Sequence, residues 1–87
     1  MSSPGNGSTL TSSSATFQWT AGVGVQQYVL WIGSSGVGSR NIYMMNPGTN
    51  TSTTVTNLPT DGRTLNVRLW SLVGGVWQYN DYTYAAL

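Results

Sequence analysis

Five charged side chains are all that this 87-residue chain offers for electrostatic chemistry at neutral pH: Asp61, Asp81, Arg40, Arg63 and Arg68. Histidine, cysteine, glutamate and lysine are absent, so the ordinary general bases and activated nucleophiles reduce to two aspartates and the tyrosines. Hydrolysis by a carboxylate pair needs both groups beside one scissile bond. Asp61 stands before Gly62, a pairing that forms turns, whereas Asp81 lies in the last alternating segment. The two are expected apart, no residue is assigned a catalytic role, and an enzyme is not expected. Transition metals want histidine or cysteine, and calcium wants more carboxylates than these, so no metal and no cofactor are expected. The glycine-rich loops at 22–24 and 33–38 carry no lysine and open no helix, which excludes a phosphate cradle. Three arginines are too few for a nucleic-acid surface. What the chain has in quantity is aromatic: four tryptophans, five tyrosines and a phenylalanine.

The elements that must position those rings are strands. Apolar residues recur at every second position between Gly, Pro, Asn and Ser clusters, the period of a half-buried strand, and no stretch has the helical period. Residues 1–7 read as a linker or first-strand approach, and 8–87 as a single domain with a short first strand around Leu10. Further strands are expected at 14–20, 27–33, 40–45, 51–57, 64–73 and 76–84, about seven in all. Asn46-Pro47-Gly48 is expected as a turn. With no cysteine to staple the fold, stability rests on packed apolar side chains alone.

Gly74-Gly75 between the two longest strands suits a two-residue type I′ hairpin. That turn sets the register: Val73 faces Val76, Leu72 faces Trp77, Trp70 faces Tyr79, Arg68 faces Asp81 and Val67 faces Tyr82. One face then carries Leu65, Val67, Leu69, Tyr82 and Tyr84. With Leu10, Phe17, Trp19, Tyr28, Leu30, Ile32, Val55 and Leu58 these form the expected core. The opposite face displays Val29 and Trp31, then Arg68, Trp70 and Leu72, then Trp77, Tyr79 and Asp81, with Arg68 and Asp81 as a cross-strand ion pair.

The order Pro4, Gly7, Leu10, Phe17-Gln18-Trp19, Tyr28-Val29-Leu30-Trp31, Val55-Thr56-Asn57-Leu58-Pro59 and Leu65-Asn66-Val67-Arg68-Leu69-Trp70 resembles the fibronectin type III pattern of bacterial secreted multidomain proteins, over nearly the whole chain. The resemblance implies an all-β, two-sheet antiparallel β-sandwich of immunoglobulin-like topology, with Trp19, Tyr28 and Leu58 in the family's core positions. Leu65 departs from it, standing where the family usually has a tyrosine. Such modules serve as spacers, adhesive units and enzyme accessories, so the resemblance implies no ligand.

The expected function is a non-catalytic spacer or interaction module of a larger secreted or cell-surface protein. Charged residues make up only 6% of the chain, against about a quarter in an average domain, and its surface must rely on hydroxyls, amides and glycine. An export signal is expected upstream, and the apolar runs are too short for membrane insertion. Three readings of the aromatic face stand together. It is plain cross-strand packing covered by the segment around Tyr43 and Met44, a contact for a neighbouring domain or protein, or a polysaccharide site using Trp31, Trp70, Trp77 and Tyr79 beside Arg68 and Asp81. Self-association through that face, or through the strand near Thr51, is a further expectation.

Overall fold

The structure is a computed structural model that describes residues 2–87, Pro47 by its backbone alone. Six strands follow in order: β1 (Ala15–Gln18), β2 (Val25–Gly33), β3 (Tyr43–Gly48), β4 (Ser52–Val55), β5 (Thr64–Val73) and β6 (Val76–Ala85). They form two antiparallel sheets, β1-β4 and β3-β2-β5-β6, and no helix occurs among the described residues.

Alternation decides which side chains meet between the sheets. Leu65, Val67 and Leu69 of β5, Leu30 and Ile32 of β2, Phe17 of β1, Val55 of β4 and Tyr84 of β6 are all buried, together with Leu10, Trp19, Tyr28, Leu58 and Ala86. Each large side chain removed from water contributes about 1.5–3 kcal/mol. Aromatic edges tie the layers together. Phe17 meets Tyr84 edge-on at 5.7 Å between ring centres, and Trp19 meets Tyr28 at 5.6 Å. The Tyr28 hydroxyl accepts the Gly22 N–H at 3.0 Å, which anchors the turn before β2. Tyr82 is only half-buried at the rim of this core, whereas Ala86, absent from the expected core, lies inside it.

The strands of β5 and β6 pair in the expected register over their whole length. Gly74 and Gly75 both take positive φ, 57° and 77°, the conformation that a type I′ turn demands and side chains resist. Elsewhere three expectations are corrected. The strand around Leu10 is replaced by two isolated bridges, Ser3 to Gln18 and Thr9 to Ala85, because the glycine-rich approach crosses from one sheet to the other and runs beside each for only a few residues. Among the described residues the strands therefore number six, not seven. The edge strand is three residues later than expected, and Asn46-Pro47-Gly48 is its end instead of a turn; an extra residue in β3 between Met45 and Gly48, opposite Tyr28–Leu30 of β2, lets Gly48 still pair with Tyr28. The strand expected at 51–57 stops at Val55, before Asn57 turns into the left-handed region at φ 58° and Leu58 drops into the core, its N–H held by Ser13 O at 2.8 Å.

Candidate functional site

The two carboxylates are each held by an arginine, and not by one another. Asp61 takes a forked grip from Arg63 two residues on, with Nε to Oδ1 at 2.8 Å, and the bond from Arg63 holds its pKa down to about 2. Asp81 takes the other fork, Arg68 Nε to Oδ1 at 2.7 Å and Nη2 to Oδ2 at 3.1 Å. Asp61 lies in the turn ahead of Thr64, and Arg68, which faces Asp81, lies four residues beyond Thr64 along β5, roughly 13 Å at the strand rise. The pair therefore cannot flank one bond. Among the described residues no three His, Cys, Asp or Glu side chains come together as a metal site.

The aromatic face is assembled by three neighbouring strands. On β2, β5 and β6 the residues between the core positions point the other way, and the ladders place Val29 beside Trp70, Trp31 beside Arg68, Trp70 beside Tyr79 and Leu72 beside Trp77. Trp70 is the hub. Its ring lies 5.1 Å from Trp31 at 66°, 6.4 Å from Trp77 at 90° and 4.9 Å from Tyr79 at 57°. Arg68 stacks over Tyr79 at 3.9 Å and reaches Trp70 at 5.5 Å, so one guanidinium serves a carboxylate and two neighbouring aromatic rings at once. The Asp81 bond also raises the Arg68 pKa, which keeps the charge fixed.

Between Val29, Trp31, Trp70 and Trp77 lies an open groove of about 260 Å³ with almost wholly apolar walls. Trp77 is 42% and Tyr79 50% exposed, while Trp31 and Trp70 are half-buried. The cover expected from Tyr43 and Met44 is not there. Tyr43 turns to the other layer, its hydroxyl 3.2 Å from Thr53 Oγ1, and Met44 stands in solvent at 57% exposure. The Trp70 indole N–H is buried without a hydrogen-bond partner among the described residues.

The structure therefore brings Trp31, Trp70, Trp77, Tyr79, Arg68 and Asp81 onto one face, and it places Phe17, Trp19, Tyr28, Leu30, Ile32, Val55, Leu58, Leu65, Val67 and Leu69 beneath it in the core. Sequence reading missed two contributors. Arg40 stacks over Trp31 at 5.1 Å and donates to Met44 Sδ at 3.6 Å. Gly38, at φ 82°, lies so close to Arg68 that a Cβ there would sit 3.0 Å from Nη1. Both belong to the 34–42 connection, whose path no alternation pattern reveals; the one signal was an isolated arginine just ahead of an edge strand. Compared with family models, with curated proteins and with solved structures, the chain matches none.

Proposed function

We propose that the chain is a non-catalytic interaction module of a larger exported protein, fibronectin type III-like in topology, and that the outer face of β2, β5 and β6 is its contact surface. The observation that carries this reading is the uncovered apolar groove framed by Trp31, Trp70 and Trp77. Contiguous apolar surface on a small domain marks a contact site, and tryptophan, tyrosine and arginine, the residues gathered here, are those that dominate binding energy at protein interfaces. The sheet order β3-β2-β5-β6 opposite β1-β4 supports the family assignment, as do Trp19, Tyr28 and Leu58 in the core. Export rests on the composition.

The occupant is an apolar or aromatic side chain from a neighbouring domain. A polysaccharide platform wants ring faces lying level, with free polar groups at the rim. Here the rings cross at 57° to 90°, and Arg68 and Asp81 already bond each other. Peptide-display selection on the immobilised domain tests the reading, alongside tryptophan emission titrated with soluble polysaccharides. The expected outcome is enrichment of peptides with an aromatic or aliphatic anchor, lost on a folded Trp77→Ala variant, and no polysaccharide response. A saturable polysaccharide shift abolished by Trp70→Ala makes the face a glycan site instead, and silence in both assays reduces it to packing.

A further inference from the structure

The two edges of the four-stranded sheet are built differently. β3 is blunted: Pro47 has no N–H to offer, Gly48 takes φ 67°, and its pairing with β2 is interrupted between Tyr28 and Leu30, all devices that stop another strand from adding. β6 has none of them. It contains one charged residue, Asp81, and Arg68 neutralises that charge.

The chain itself closes the far end of the β6 edge. Asn6 Oδ1 accepts the Thr83 N–H at 2.9 Å. Gly7 N–H donates to Thr83 O at 2.8 Å, Ala85 N–H to Ser8 O at 3.1 Å and Leu10 N–H to Ala85 O at 2.9 Å. Backbone groups facing one edge recur at every second residue of an antiparallel strand. Because Thr83 and Ala85 point outward, so do Asp81, Tyr79 and Trp77, and among the described residues these three have no backbone partner on that side. The two-residue hairpin gives the same parity, since it directs Val76 toward β5 and the next residue away.

We propose that two copies of this chain join edge to edge through β6, antiparallel about a two-fold axis at Tyr79, so that two four-stranded sheets become one. The occupant is a second copy because the open stretch matches itself. Pairing Trp77 with the other copy's Asp81, and Tyr79 with Tyr79, satisfies all three outward residues of both copies, and a register moved by one step in either direction leaves one of them unpaired. Gln78 then faces Asn80 across the seam, amide to amide, and both are exposed and have no side-chain partner among the described residues. No like charges meet, because each Asp81 faces a tryptophan, and a net charge of +1 gives little long-range repulsion. The interface is isologous and closes on itself.

Sedimentation equilibrium of the folded chain up to about 0.5 mM, enough to detect sub-millimolar dissociation constants, gives the first reading. The expected mass rises with concentration from 9.3 kDa toward twice that value; a monomer throughout overturns the proposal. The doubly substituted Gln78→Lys/Asn80→Lys chain sets lysine against lysine across the seam and is expected to weaken the dimer at least tenfold. Gln78→Lys/Asn80→Glu sets opposite charges there and is expected to restore it. Both positions are exposed strand sites outside the core, and circular dichroism checks each fold. A dimer that survives the double lysine, or that the charge swap fails to rescue, is held by another surface and sinks the proposed seam. The seam is made by backbone groups of β6 and probed at Gln78 and Asn80, whereas the groove is made by side chains on the other face of that strand, so the charge-swap variants are read independently of a peptide or polysaccharide result at the groove.

Discussion

Two arginine–aspartate pairs of the same chemistry have different weight, because one is embedded and the other is not. Arg68 is 17% exposed at its side chain and Asp81 35%, and the guanidinium is flanked by Tyr79, Trp70 and the Gly38 turn. Lysine cannot reproduce a planar fork and a stacked face at once. Arg68→Lys is therefore expected to lower stability by about 1 kcal/mol, a drop of about 4–8 °C in Tm for a domain of this size, measured by thermal unfolding. Arg63 and Asp61 are half-exposed at a turn, where water and salt screen the pair, and Arg63→Ala is expected to leave the neutral-pH Tm nearly unchanged. Whatever small contribution the pair makes is present at neutral pH and is lost in acid. Asp61 is held at about 2 against an ordinary 3.8 by the Arg63 bond, so the stabilisation is fully present above pH 3.8 and disappears as pH falls through 2. Tm curves of the wild type and Asp61→Asn are expected to converge across that window; curves that stay parallel from pH 4 to 2 mean that the pair makes no contribution.

At the scale of the strand, the β5–β6 hairpin shows what alternation and one turn can fix. Gly74 and Gly75 at φ 57° and 77° set the register, and the register alone carries Trp70, Trp77, Tyr79, Arg68 and Asp81 to one face. Gly75→Val forces a β-branched residue into the left-handed region and is expected to lose about 1–2 kcal/mol. Gly74→Asn, which keeps an Asn-Gly turn, is expected to change stability by less than about 0.5 kcal/mol. Equal losses from both, seen in urea unfolding, would show that the hairpin does not depend on this turn type. The same logic explains where the sequence was silent. The start of β3 depends on how far the 34–42 connection runs before Ile42 N–H finds Ile32 O at 3.0 Å, a tertiary event without a local signal. The approach at residues 2–10 reaches both sheets through single bridges, too short for any periodicity. Hence the ring cluster was legible, while Arg40 over Trp31, and the absence of a cover from Tyr43 and Met44, emerged only from the path of that connection.

Across the whole molecule, the scarcity of charge means that burial dominates and pH acts through few groups. With no histidine, cysteine or lysine, nothing ordinarily titrates between the aspartates and the tyrosines except the α-amino group. Stability is expected to be nearly flat from pH 5 to 9 and little affected by salt. The alkaline limit has a specific origin. Burial pushes Tyr84 up to about 12 and raises Tyr82 as well. The Tyr84 hydroxyl donates to Pro4 O at 2.9 Å, and its ring packs against Phe17. Ionising it removes the donor that holds the N-terminal approach and places a charge between the layers. Because its folded pKa is raised above the usual 10, the stabilisation is complete below pH 10 and is lost as pH rises through 12. Unfolding followed by circular dichroism, with tyrosinate absorbance read in parallel, is expected to show a cooperative loss of structure between those limits, accompanied by late tyrosine ionisation. Tyr84→Phe removes both the hydrogen bond and the titrating group. It is expected to be about 0.5–1.5 kcal/mol less stable at pH 7 yet to lose less on going to alkali, so the two stability curves approach each other above pH 10. If the variant keeps the wild-type alkaline transition, the limit lies with another tyrosine and the N-terminal approach is not what alkali releases.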